Sequence, residues 1–135
     1  MYIPQTLKII KMSNMAPTGD DWHLHTVALL GACIGQISSN FRLVSLRFTQ
    51  DQWMLRVILE ADNSGDVNAA NEILEDYTLD VLDKKTLWEQ HNPMSFSVAA
   101  YQKIQSEIFI TKEPIEREQD DQLLWIYRRK ESHCA

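Results

Sequence analysis

The order of hydrophobic and polar positions predicts six elements of secondary structure, and the first is a helix. From about Asp20, apolar residues recur at spacings of three and four, which is the period of an amphipathic helix. They are Val27, Leu30, Ile34 and Ile37. Thr18 and Asp21 resemble a capping box, with Asp in place of the usual Glu or Gln. The first helix is therefore expected to start near Asp20 and to end at residues 38–40.

Alternation then replaces the helical period and predicts a β-hairpin. Segments 41–48 and 53–60 each place apolar residues on one face, with residues 49–52 as the turn. A second helix is expected from about Val67 to at least Leu82. Its apolar stripe, again at spacings of three and four, consists of Val67, Ala70, Leu74, Tyr77 and Val81.

Two further strands complete the pattern. Residues 104–111 alternate, and residues 122–129 are apolar enough to predict a central strand buried on both faces. Residues 84–100 match neither period, although Pro93 is expected to stop any helix. The order helix, strand, strand, helix, strand, strand predicts an α+β two-layer sandwich. In it, a mainly antiparallel four-stranded sheet carries two helices on one face.

The composition is that of one ordinary globular domain. The chain has 135 residues, of which 44% are hydrophobic, and this length is enough to bury a core. We expect a single domain over residues 1–135, with an irregular lead-in over 1–19. The N-terminus lacks a signal-peptide pattern, and no apolar run of roughly 18 residues predicts a membrane span. Two cysteines favour a reducing compartment, so a cytoplasmic location is expected.

Charge adds most to this picture. The net charge of −6 disfavours a nucleic-acid partner, because phosphate backbones repel an acidic protein. Between Glu60 and Asp83 the chain carries eight acidic residues and no basic one. An advance of about 100° per residue places many of these carboxylates opposite the apolar stripe of the second helix. Leu79 falls within this acidic face, as an apolar binding hot spot ringed by polar residues would.

The acidic face is therefore the candidate partner-binding site. It consists of Glu72, Glu75, Asp76, Leu79, Asp80 and Asp83. A solvated face that only adds solubility is the alternative interpretation. The acidic segment 113–121 and an edge of the hairpin are alternative interfaces.

No set of residues makes a convincing catalytic or metal site. His23 and His25 would share a face on a strand but not on a helix. Cys33 lies in an apolar helix, where a small buried thiol is usual. The basic run 128–130 is short, and alternation in a strand sends its first two side chains to opposite faces. We expect no catalytic residue, metal or cofactor. Two alternatives remain: a small metal-binding protein or enzyme that uses the His23/His25 region, and a homo-oligomeric structural protein.

Four short motifs occur in a recognisable order along the chain. They are Leu29-Leu30-Gly31-Ala32, Ser39-Asn40-Phe41-Arg42-Leu43-Val44-Ser45, Leu55-Arg56-Val57-Ile58-Leu59-Glu60 and Ile126-Tyr127-Arg128-Arg129-Lys130-Glu131. This order resembles small bacterial immunity proteins of contact-dependent growth inhibition and related polymorphic toxin systems. The resemblance covers residues 22–60 well and 104–131 loosely. The segment between the second helix and the third strand is longer here.

The resemblance implies a non-enzymatic, cytoplasmic antidote that binds one cognate toxin domain and blocks it. Toxins of such systems are often basic nucleases. An acidic surface suits a basic partner, since complementary charge speeds association and adds specificity. We therefore expect an immunity protein that neutralises its toxin through the acidic face, without a cofactor, nucleic acid or membrane.

Overall fold

A computed structural model describes residues 16–91, 96–116 and 122–131. Its helices are α1 (Gly19–Cys33) and α2 (Ser64–His91), and a short 3-10 turn covers Val98–Tyr101. Its strands are β1 (Phe41–Thr49), β2 (Gln52–Leu59), β3 (Ile104–Ile110) and β4 (Leu123–Arg128). The predicted order of elements and the α+β architecture are confirmed. Most of the predicted lead-in lies outside the described residues.

The four strands form one sheet in the order β3-β2-β1-β4. β1 is antiparallel to β2 and β4, whereas β2 and β3 are parallel. The parallel pair follows from connectivity, because α2 crosses between β2 and β3 and a helix is the usual link between parallel strands.

The prediction that the last strand is central was wrong, because among the described strands β4 lies at an edge and pairs with β1. Its apolar run has a different cause. Ile126 and Tyr127 pack against the core, while Leu123 and Trp125 line a hollow on the opposite face of the sheet. Both faces of this edge strand therefore carry apolar contacts.

The core lies between the sheet and the two helices. Register pairs Val44 with Val57 and Leu46 with Leu55, so these residues share the face beneath the helices. The largest buried side chains facing them include Leu24, Leu29, Ile73 and Tyr77. The predicted stripe of α2 is confirmed at its centre, where Ala70, Tyr77 and Val81 are buried.

The capping box of α1 is confirmed, but its predicted apolar stripe was wrong. Thr18 N donates to Asp21 Oδ2 at 2.9 Å, and Asp21 N donates to Thr18 Oγ1 at 3.2 Å. Leu30 is 48% exposed, and Ile34, which follows the last helical residue, is 81% exposed. The face that α1 buries instead consists of Asp21, Leu24, His25, Ala28, Leu29 and Ala32. This face contains two polar and two small residues, so its hydropathy is too low for the pattern to identify it as the buried face.

Helix α2 extends beyond Leu82, the minimum end predicted for it, and includes the first eight of the 17 residues in segment 84–100, which matched neither period. It begins at Ser64 and runs to His91. Asn63 caps it, since its side-chain oxygen accepts from Asp66 N at 3.1 Å and its carbonyl accepts from Val67 N at 2.9 Å. Its 28 residues span about 42 Å at about 1.5 Å per residue, and the acidic residues 72–83 lie near its middle.

Candidate functional site

The structure brings the predicted partner-binding residues together on one side of α2, away from the sheet. Glu72, Glu75, Asp76 and Asp83 are exposed, and Asp80 is partly exposed. Leu79 is 61% exposed among them. Tyr77 and Val81, on the opposite side of the helix, are buried in the core. We call the six predicted residues the acidic face.

A hollow of about 360 Å³ lies beside this face, between α2 and the end of α1. Gly31 and Ala32 of α1 form one wall, and the other is lined by Asp76, Leu79, Asp80 and Asp83. A Cβ atom at Gly31 would lie 3.8 Å from Asp80 Oδ2. The small residues of α1 thus leave the carboxylates open to an approaching side chain.

The electrostatic field at this hollow is negative for two reasons. The carboxylates contribute full charges, and the last turn of α1, which carries no basic residue, contributes the partial negative charge of its free carbonyl groups. Like charges four residues apart, such as Glu72 with Asp76 and Asp76 with Asp80, destabilise a helix by roughly 0.2–0.5 kcal/mol per pair. The arrangement therefore attracts cations and costs some stability.

Few groups neutralise the acidic face. Gln36 Nε2 donates to Glu72 Oε2 at 3.0 Å. Lys84 Nζ lies 3.7 Å from Asp80 Oδ2, one turn along the helix, and both side chains are about one third exposed, so solvent screens this long ion pair and it adds little. The carboxylates of Glu75, Asp76 and Asp83 have no hydrogen bond or ion pair within the described part of the chain.

Two of the eight acidic residues in the block serve the fold instead. Glu60 Oε1 lies 3.0 Å from Arg129 Nη2. Asp66 accepts from Ser38 Oγ and Asn40 Nδ2, both at 2.9 Å, and so ties the start of α2 to the segment before β1. The structure thus separates structural carboxylates from those that face solvent.

Leu79 stays uncovered because α2 continues as a helix beyond it. Trp88 does not fold back over Leu79 but stacks on His23, with ring centroids 5.4 Å apart. Leu82 and Leu87 are also more than half exposed. Sequence reasoning missed Leu87, because the segment after Lys84 matched neither period.

His25 is committed to the core rather than to a metal. Its Nδ1 lies 2.6 Å from Tyr77 Oη, its Nε2 lies 3.0 Å from Ala100 O, and its ring stacks on Trp53 at 3.8 Å. A carbonyl only accepts, so Nε2 carries the proton and Nδ1 accepts from Tyr77. Burial lowers the pKa of His25 to about 4, so the ring is neutral near pH 7.

The other candidates for metal or catalytic chemistry are likewise dispersed. His23 is exposed beside Trp88. Asp21 is buried and accepts from both the backbone N–H and the hydroxyl of Ser97. Over residues 16–91, 96–116 and 122–131, no group of three or more His, Cys, Asp or Glu is placed to hold a metal. Burial raises the pKa of the Cys33 thiol to about 11, so it is protonated and a poor nucleophile.

The alternative interfaces are only partly described. Glu113 and Glu116 are exposed, while residues 117–121 lie outside the described ranges. Within the basic run, Arg129 is held by Glu60, by Glu131 at 2.9 Å and by Ser39 O at 2.8 Å. Arg128 instead lies over the ring of Trp125, at 5.4 Å.

A protein-family model described as MafI2 immunity protein matches residues 23–131. That range includes both helices, apart from the first turn of α1, and all four strands. No curated protein matches the chain. None of the helices in the described part of the chain combines the length and hydropathy that crossing a membrane requires.

Proposed function

The chain belongs to the MafI2 immunity protein family, and we propose that it neutralises a cognate toxin domain by binding it through the acidic face. The family implies an immunity role and a toxin protein as partner. We propose further that the protein acts in the cytoplasm, without catalysis, and that its toxin is a basic nuclease.

One observation carries the choice of surface. The carboxylates of the acidic face surround an exposed leucine, and most of them have no partner in the described structure. Their mutual repulsion opposes folding, whereas Glu60 and Asp66, from the same block, are paired. The repulsion among these carboxylates lowers the stability of the fold, and most of them have no partner among the described residues. Binding to another protein explains their presence better than a role in folding does. Apolar residues ringed by charged ones are typical of binding hot spots.

The geometry supports a basic partner. A lysine or arginine side chain has a long apolar stem and a charged end. The stem could pack on Leu79 while the charged end meets Asp76, Asp80 or Asp83 across the hollow beside Gly31. A nuclease needs cationic groups to hold phosphate, so carboxylates bound there would exclude the substrate. Attraction between the two surfaces would also speed their encounter at low salt.

The test is a pair of variants that change the net charge equally on different surfaces. Asp76→Lys/Asp80→Lys reverses two charges on the acidic face, and Glu113→Lys/Glu116→Lys reverses two on the segment that was the alternative interface. The probe is a purified cognate toxin domain, to be sought in the gene next to the one that encodes this chain, and binding kinetics are measured at low and moderate salt.

The helix variant should lose affinity at least tenfold, mainly through slower association, because opposed charges set the encounter rate. The Glu113/Glu116 variant should keep affinity within about threefold, as expected for charges outside the contact. Unchanged affinity of the helix variant at low salt would reject the acidic face. A large loss in the other variant would move the interface to the 113–121 segment.

A further inference from the structure

The face of the sheet opposite the helices carries an apolar surface that lies outside the toxin interface proposed above. Register places Phe109 beside Ile58, Ile58 beside Leu43, and Ser45 beside Trp125. Phe109 is 45% exposed, whereas Leu43 and Ile58 are at most 7% exposed and lie beneath the surface. Arg56 pairs with Glu107 and lies 5.5 Å from the centroid of the Phe109 ring, so charged residues border the exposed ring on this face. An apolar patch rimmed by charged residues marks an interaction surface.

A buried arginine fixes the shape of this surface. Arg42 Nη1 donates to Thr111 O at 2.7 Å and to Glu113 O at 2.8 Å. The same guanidinium pairs with Glu131, just beyond β4. Because Arg42 is almost fully buried, these contacts hold residues 111–116 across one part of the sheet. The surface is therefore formed before any partner arrives.

Two hollows result from this arrangement. One, of about 250 Å³, is lined by the strands and by residues 109–116, with Leu43, Ile58, Phe109, Ile115 and Trp125 as its main apolar walls. The other, of about 460 Å³, shares Pro114 and Ile115 with the first and is bordered by Lys112, Arg128 and Lys130. An apolar centre thus adjoins a rim of charged residues.

The rim carries both signs of charge. Lys112, Arg128 and Lys130 have no ion pair within the described ranges, and neither do Glu113 and Glu116. A purely acidic or purely basic partner would leave one set unpaired. A second copy of the same surface, turned by a two-fold axis, offers each set its opposite. The acidic face of α2 has no such self-complementarity, because two copies of it would repel.

We propose that two copies of this chain associate through the outer faces of their sheets about a two-fold axis. Phe109 and Trp125 lie at the centre, and Lys112, Arg128 and Lys130 meet Glu113 and Glu116 of the partner subunit. Closed two-fold dimers are the commonest soluble oligomers. Since α2 lies on the opposite side of each sheet, both acidic faces stay open. The dimer goes beyond the proposed toxin binding and does not depend on it.

The size of the surface sets the expected affinity. Four strands about 4.8 Å apart and roughly six residues long span about 20 by 20 Å. Stable interfaces bury about 800 Å² of accessible surface on each partner. The flat sheet alone would bury less than this area. It reaches about 800 Å² only because residues 111–116 and the two hollows make the surface uneven and so increase its accessible area. The dimer is therefore expected to dissociate on dilution.

Sedimentation velocity of the full chain over a concentration series tests the proposal without toxin. The wild-type protein should shift from monomer to dimer mass as concentration rises. Phe109→Glu should remain monomeric, because it places a charge at the apolar centre. Leu79→Glu, a comparably exposed residue on the helix side, should dimerise as the wild type does. Circular dichroism melting shows whether each variant is folded.

Arg128→Glu gives a second test that does not touch the apolar centre. It should raise the dissociation constant of the dimer at least tenfold, because the rim loses an attraction and gains a repulsion. Wild-type protein that remains monomeric throughout the series would overturn the proposal. So would a dimer that tolerates Phe109→Glu and Arg128→Glu but dissociates with Leu79→Glu.

Discussion

Helix α2 carries polar side chains on two sides. Those on the buried side form hydrogen bonds inside the protein, whereas most of those on the exposed side do not. On its buried side, Tyr77 donates to His25, whose other nitrogen donates to the backbone. On its exposed side, Glu75, Asp76 and Asp83 have no partner within the described residues. Tyr77 of the buried set and Asp76 of the exposed set are adjacent residues of α2. What separates them is whether each hydrogen-bonding group is satisfied inside the protein.

The buried set extends from α2 to the rest of the core. Trp53 stacks on His25 and donates its indole N–H to Ala99 O at 2.8 Å. Asp21 holds both Thr18 and Ser97. These bonds join α1, α2, β2 and the 3-10 turn, so the set stabilises the fold. Glu75, Asp76 and Asp83 of the acidic face make no such bond within the described residues, which leaves their carboxylates available to another protein.

Among the substitutions that test this comparison, Asp21→Ala is expected to change the free energy of unfolding most. The change removes the capping box and leaves three donors, on Thr18 and Ser97, without their acceptor. We expect a loss of about 3–5 kcal/mol in the free energy of unfolding, because each largely buried donor left without its acceptor costs about 1–3 kcal/mol. Urea unfolding measures it. Asp83→Ala, on the acidic face, should change the same quantity by less than about 0.5 kcal/mol. Equal losses of stability in the two variants would contradict the conclusion that the buried polar residues stabilise the fold and the acidic face does not.

The next effect concerns pH. The pKa of His25 is lowered to about 4, chiefly by burial, which outweighs the opposing influence of Ala100 and Asp21. Between pH 6.5 and 4 the unfolded chain therefore binds a proton that the folded chain does not. The contribution of neutral His25 to the free energy of unfolding is therefore complete above pH 6.5. It decreases as the pH falls, by about 3 kcal/mol at pH 4. Urea unfolding at a series of pH values should show this slope. His25→Gln should remove most of it, and an equal slope in both proteins would contradict the assignment.

The contrast also explains which parts of the molecule could be predicted from the sequence. The acidic face depends on helical geometry alone, so the spacing of Glu72, Asp76 and Asp80 was enough to place it. The buried face of α1 depends on tertiary partners. Asp21 and His25 are buried because Ser97, Tyr77 and Ala100 satisfy them, and those partners are distant in sequence. A hydropathy pattern counts both residues as surface, and the predicted stripe was wrong for that reason.

Long-range contacts also limited prediction of the sheet. β4 is as apolar as a central strand, but its second apolar face is formed with residues 109–116 rather than with a helix layer. That surface depends on Arg42, which reaches the backbone at Thr111 and Glu113. In the sequence Arg42 is simply a charged residue in an alternating strand. Neither the edge position of β4 nor the shape of the outer surface was accessible from local spacing.

The smallest stability effect, and the sharpest test of the exposed set, is that of Leu79→Ala. Leu79 is 61% exposed, and alanine is a better helix former than leucine, so the free energy of unfolding should change by less than about 0.5 kcal/mol. If Leu79 is the apolar centre of the toxin interface, affinity for the toxin domain should fall about tenfold, which corresponds to roughly 1.4 kcal/mol.

Leu87→Ala is the matched control, since Leu87 is 56% exposed on the same helix but outside the acidic face. Calorimetric titration and urea unfolding of both variants separate the two quantities. A loss of binding with Leu87→Ala alone would place the contact nearer the end of α2. A loss of stability with Leu79→Ala would assign that leucine to the fold and remove the reason for setting the acidic face apart from the buried one.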